Sequence, residues 1–78
     1  MTGQYPNDKV IELRRMAAEY FQKAAWNQLL ALDNYRESNL IAAERFAQMS
    51  FDDQMSAIEC AELADAELEL VHELQMAE

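Results

Sequence analysis

The sequence predicts an all-α fold, a small helical bundle of two long helices or of three helices at about 8–33, 35–49 and 51–77, completed by dimerisation. Three observations carry this. The one glycine (Gly3) and the one proline (Pro6) both precede residue 7, so no strong helix breaker follows. Hydrophobic residues make up 51% of the 78 residues, and they recur at helical spacing. A chain this short buries only about 60% of its extended surface, which leaves its own core modest and favours help from a second copy or a partner.

Residues 1–7 read as an extended lead, followed by a single helical domain at 8–78. Asn7 or Asp8 is placed to cap the first helix by accepting a bond from its free N–H groups. At about 100° per residue, one face collects Val10, Leu13, Ala17, Tyr20, Phe21, Ala24, Ala31, Tyr35, Ala42, Phe46 and Met49. The opposite face collects Glu12, Arg15, Glu19, Gln22, Asp33, Glu37, Glu44 and Gln48. Around "AAWNQLLAL", Ala24 to Leu32, apolar side chains surround the helix, with Trp26 and Leu30 toward the charged side, so cover on more than one face is expected there. "DNYRESN", Asp33 to Asn39, is rich in cap formers, and Asn34 with Glu37 has the capping-box spacing. A break is therefore expected near residues 33–38, with one helix over 8–49 as the alternative because the register runs through.

The last helix has a sharp predicted start. "SFDDQ" offers Ser50 as N-cap and puts Asp52 and Asp53 in the first turn, where carboxylates meet the positive end of the helix dipole. Beyond it Ala57, Cys60, Leu63, Ala64, Leu68, Leu70, Val71 and Leu74 form an apolar face. A second stripe, Phe51, Met55, Ile58, Glu62, Asp65, Glu69, Glu73 and Met76, begins apolar and turns acidic halfway. Three helices of about 39, 22 and 40 Å have badly matched ends. If the first two are one rod, apolar residues near its start lie uncovered. Val10, Leu13, Tyr20, Phe21 and Trp26 are the expected self-association face of a homodimer.

Charge divides the chain. Residues 1–50 hold six bases and six acids, whereas residues 51–78 hold nine acids and no base, so the net charge of −9 falls entirely on the final segment. Such a field repels nucleic acid and anionic membrane and attracts basic surfaces. No run approaches the roughly 18 apolar residues of a membrane span, and the single Cys60 allows no internal disulfide, so a cytoplasmic protein is expected. Cys60 reads as a small buried hydrophobe. It projects away from His72, and with no glycine-rich phosphate loop present, an enzyme is not expected.

Trp26, Leu29, Ala42 and Phe46 fall at the spacing of the large and small packing residues of a tetratricopeptide helix pair, and "AAEYFQKA" resembles its second helix. The resemblance covers one repeat unit and implies a helix pair packed through those four side chains. Asp33 stands where that motif has an aromatic, no glycine occupies the turn, and no period of about 34 residues recurs, so no family is assigned.

Three functions are compatible with these features. The first is a small acidic interaction module that docks Glu62, Asp65, Glu69 and Glu73 onto a basic partner such as a nucleic-acid-binding protein. Compact acidic inhibitors of phage or plasmid type, DNA mimics included, are similar in size and charge. Its motive is physical: Asp65 with Glu69, and Glu69 with Glu73, are like charges at i,i+4, each costing about 0.2–0.5 kcal/mol unless neutralised. The second is a ferritin-like dimer in which Glu69 and His72, at Glu-x-x-His spacing, hold iron or manganese, with Glu37 or Glu44 adding an oxygen from a facing helix. The third is a purely structural, self-associating bundle.

Overall fold

The computed structural model describes residues 7–76, which form a helical hairpin with no strand among them. α1 spans Asp8–Arg36 and α2 spans Leu40–Met76. Glu37, Ser38 and Asn39 join them. Of the lead expected at residues 1–7, residues 1–6 lie outside the described residues, as do residues 77 and 78. At 1.5 Å per residue the helices are about 44 and about 56 Å long, and the molecule measures 61 × 24 × 12 Å across its Cα atoms, a plank one helix thick.

The expected break near residues 33–38 is present, and its chemistry differs from the expected capping box. Asn34 stays helical and its Nδ2 donates to the Leu30 carbonyl at 2.8 Å. The chain turns instead through a Schellman arrangement, in which the Ser38 N–H donates to the Tyr35 carbonyl (3.0 Å) and the Asn39 N–H to the Asn34 carbonyl (2.8 Å). Ser38 takes the left-handed conformation this needs, with φ 62°. Asn39 then opens α2, its carbonyl accepting from the Ala43 N–H at 2.9 Å. At the start of α1, Asn7 is the cap through its backbone carbonyl, which accepts from Ile11, and its side chain makes no cap bond.

No second break occurs. α2 runs unbroken through residues 49–51, so neither the three-helix arrangement nor a single helix over 8–49 forms. Ser50 is not an N-cap. It lies buried inside α2, where its hydroxyl donates to the Ala24 carbonyl of α1 at 2.8 Å. A serine hydroxyl satisfied across an interface leaves the helix no reason to end. Asp53, expected in a first turn, sits half-buried in mid-helix and accepts from Asn27 Nδ2 at 2.9 Å.

The hairpin closes on small residues spaced seven apart. From α1 come Val10, Ala17, Ala24 and Ala31, and from α2 come Ala43, Ser50, Ala57, Ala64 and Val71, all buried. A seven-residue repeat is the period of a supercoiled helix pair, and residues this small let the two backbones approach toward the short end of the usual 8–10 Å range. Leu13, Tyr20 and Asn27 of α1 and Phe46, Asp53 and Cys60 of α2 fill the alternate seam positions. Cys60 is a buried free thiol. The tetratricopeptide-like packing is not formed, because Trp26 (62% exposed) and Leu29 (54%) lie off the seam. Among the described residues no large side chain is fully buried, so most of the apolar mass of the chain stands outside its core.

Candidate interaction surface

With the seam at one pair of heptad positions, each helix presents two flanks, and the antiparallel pairing joins like flanks into two broad faces. One face collects Ile11, Ala18, Phe21, Ala25, Leu32 and Tyr35 from α1 with Leu40, Ala47, Phe51, Ile58, Ala61 and Leu68 from α2. Arg14, Gln28, Glu44, Gln54, Asp65 and His72 are its polar members. The opposite face, which carries Trp26, Leu30, Met49 and Leu63, is interrupted by Lys9, Glu12, Glu19, Lys23, Asp33, Arg45, Asp52, Glu59 and Glu73. Three formal charges against nine separate the two faces. The first, here the Phe51 face, is the apolar one.

Its large apolar residues are exposed, Ile58 alone being half-buried. Phe51 is 55% exposed and Ile11 and Leu40 are each 58% exposed. Near the turn the face opens into a groove of about 690 Å³ lined by Ala25, Gln28, Leu29, Ala31, Leu32, Tyr35 and Ala47. At the other end Arg14 bonds to Asp65 across the two helices, so its one base is paired within the chain. The positions of this face follow alternating steps of three and four (11, 14, 18, 21, 25, 28, 32, 35), as do those of α2 (40, 44, 47, 51, 54, 58, 61, 65, 68), and all but Arg14, Gln28, Glu44, Gln54 and Asp65 of these are apolar. That is the spacing of a second helix-pairing seam beside the first, and no further helix among the described residues occupies it.

The acidic residues occupy a different place. Glu62 and Glu69 are exposed on the outward ridge of α2, Glu73 is exposed where that ridge meets the opposite face, and Asp65 marks the edge where it meets the Phe51 face. Among the described residues no ion pair involves Glu62, Glu69 or Glu73, whereas Arg14 engages Asp65 and Lys9 lies 3.9 Å from Glu67. The hairpin thus partly offsets an imbalance that is complete in the linear sequence, because it folds the basic start of α1 beside the acidic end of α2. Arg15 binds Glu12 and Glu19 on its own helix. Its side-chain hydrogen bond holds the Glu12 carboxyl below the usual range. Lys23 rests over the Tyr20 ring, 5.4 Å from its centroid.

Glu69 and His72 are both exposed near the end of α2. Glu37 and Glu44 do not face them, since the antiparallel hairpin places those carboxylates at the turn, about 38 Å away along α2 from Glu44 to Glu69. Among the described residues no three His, Cys, Asp or Glu side chains converge as a metal site. No described helix is long and apolar enough to cross a membrane.

Of the residues expected to self-associate, Val10 is buried and Leu13 and Tyr20 are half-buried, all in the intramolecular seam. Phe21 lies on the Phe51 face and Trp26 on the opposite one. Sequence reasoning grouped Ile58 with Phe51 and missed Leu32, Leu40 and Leu68 as members of the same surface. The signal that finds them is the seven-residue spacing of alanines, which fixes the inner seam and so defines what lies beside it.

Against protein-family models, curated proteins and solved structures, the chain matches nothing.

Proposed function

We propose that this chain is a non-enzymatic protein–protein interaction module that works by docking the Phe51 face against another helical surface. One observation carries the reading: beside the seam that joins the helices lies a face with three formal charges against nine on the opposite one, and Ile11, Phe21, Leu32, Tyr35, Leu40, Phe51 and Leu68 are exposed along it. Exposed apolar area of this extent on a small domain is otherwise an aggregation hazard. Covering it contributes about 25 cal/mol per Å² removed from water. The test is a photo-reactive phenylalanine analogue at Phe51, compared with the same group at Met49 on the charged face, in cells making the full chain. Adducts specific to position 51 are expected. Equal labelling from both positions, or none, rejects the reading.

A second surface supports a second role. Glu62, Glu69 and Glu73, on the ridge and its edge, project to solvent without an ion pair among the described residues, and the like-charge repulsion between Glu69 and Glu73 is relieved when a basic surface neutralises it. We infer that the ridge favours basic partners, a nucleic-acid-binding protein or its inhibitor-binding site among them, and speeds their encounter. Changing these three to glutamine is expected to lower partner recovery at low salt and to leave the position-51 adducts intact. Unchanged recovery rules the ridge out.

A further inference from the structure

We propose that the occupant of the Phe51 face is a second copy of this chain, bound about a twofold axis to complete a four-helix bundle. The inference rests on the reading of that face as a docking surface and adds the identity of the partner. Each helix carries two adjacent seams, and a hairpin gives each helix one neighbour. Covering both seams takes as many helices again, antiparallel and of matching length. A second hairpin supplies both at once, each with the same spacing of three and four.

The area agrees. The paired helices run about 44 Å, and two helices side by side span about 18 Å, so the face offers roughly 800 Å² per copy. A stable interface of standard size buries about 800 Å² on each partner.

The charge pattern separates a second copy from a basic partner. With a net charge of −9, two copies repel each other wherever their acids meet. The acids lie on the ridge and the opposite face, while on the Phe51 face Arg14 already satisfies Asp65, leaving Glu44 near the turn. This face is the part of the surface where like meets like without repulsion. A basic partner gains most on the ridge instead. An axis lying in the interface plane and crossing the helices at right angles at mid-hairpin, near residues 22 and 55, sets the two turns at opposite ends and keeps the acidic ends of α2 apart. Small and large side chains alternate across that centre, Ala25 beside Phe21 and Ala47 beside Phe51, which suits a self-complementary contact.

Sedimentation equilibrium of the full chain is expected to give twice the 9.0 kDa chain mass at micromolar concentration. Phe51→Glu and Leu32→Glu are each expected to shift it to one chain, and Leu63→Glu, on the charged face, is expected to leave it double. Because a hairpin with so thin a core risks unfolding once separated, a second measurement uses the photo-reactive analogue at position 51 in purified protein and weighs the adduct. Two chains are expected. A single-chain mass at all concentrations, or dissociation by Leu63→Glu as readily as by Phe51→Glu, overturns the proposal. Position-51 adducts that hold two chains neither in purified protein nor in cells, but hold another protein in cells, overturn the second copy while retaining the docking face; no position-specific adduct in either setting removes both.

Discussion

The hydroxyl of Ser50 donates across the hairpin to the main-chain carbonyl of Ala24 at 2.8 Å. A hydroxyl reaches only one bond beyond Cβ, so this contact sets the backbone of α2 directly against that of α1. Such proximity exists because alanines precede and follow the pair at intervals of seven, and it makes position 50 intolerant of size. Ser50→Ala is expected to cost about 1 kcal/mol, the net worth of one hydrogen bond, since the Ala24 carbonyl keeps its helical donor. Ser50→Leu is expected to cost more, by about 1–3 kcal/mol of overpacking. Urea unfolding followed by circular dichroism ranks the two, and a leucine variant as stable as the alanine one contradicts the close seam.

Asn27 and Asp53, each three residues on from Ala24 and Ser50 in its own helix, are joined across the hairpin by a hydrogen bond of 2.9 Å. Asn27→Leu leaves a half-buried carboxylate without its donor and is expected to destabilise by about 1–3 kcal/mol. Adding Asp53→Leu is expected to restore most of that loss, because both partners are then apolar. A double-mutant cycle reads the coupling, expected within about 0.5–3 kcal/mol; additivity shows that the pair does not interact.

Ser38 occupies a left-handed conformation with φ 62°, where a Cβ crowds the following carbonyl. Glycine relieves that crowding and brings a larger entropy loss on folding. The balance is an expected gain of about 0.5–1 kcal/mol for Ser38→Gly, visible as a raised urea midpoint. A lowered midpoint means the turn is held by the serine side chain.

Association linked to folding makes thermal stability depend on concentration. The melting temperature of the full chain is therefore expected to rise as protein concentration rises, and the dependence is expected to vanish in Phe51→Glu. A constant melting temperature across a hundredfold dilution, about 2.7 kcal/mol of mass action for a tightly bound state, means that folding does not draw on association.

Arg15 bonds to Glu12 and Glu19 on one face of α1. Glu12 is held below the ordinary carboxylate range, first by its side-chain hydrogen bond from Arg15. A depressed folded value means that the stabilisation is present above the unfolded value and lost as pH falls through the folded one. Carboxyl-carbon NMR is expected to show Glu12 titrating later than free glutamate on acidification, and Arg15→Met is expected to return it to the ordinary range. No change in that variant excludes Arg15 as the cause.

The all-α fold and the break before residue 39 were legible because glycine and proline are confined to the first six residues while Asp33, Asn34, Ser38 and Asn39 cluster. Ser50 was misread for a physical reason: a serine that caps its own helix and one that bonds to a neighbour's carbonyl look the same in one dimension. Two aspartates after it, Asp52 and Asp53, completed the resemblance to a helix start. The seam was hidden differently. Alanine contributes little to any hydrophobic tally, so Val10, Leu13 and Phe21 dominated the apparent inner face, although the alanines decide which side of each helix faces the other. The acidic end of α2 was legible as a charge imbalance, and its partial neutralisation by Lys9 and Arg14 was not, because that depends on where the chain turns.

The alanine seam has a thermodynamic corollary. Alanine has no rotamers to lose on burial, whereas each phenylalanine, leucine or isoleucine confined by a neighbour gives up side-chain entropy. Bringing α1 onto α2 therefore freezes little beyond the backbone, and the half-exposed Phe21, Leu32, Leu40 and Phe51 retain rotational freedom in the lone hairpin. Their ordering is deferred to the encounter that covers them, so calorimetry of that encounter reads out a loss of motion that in most small domains is already complete when the chain has folded.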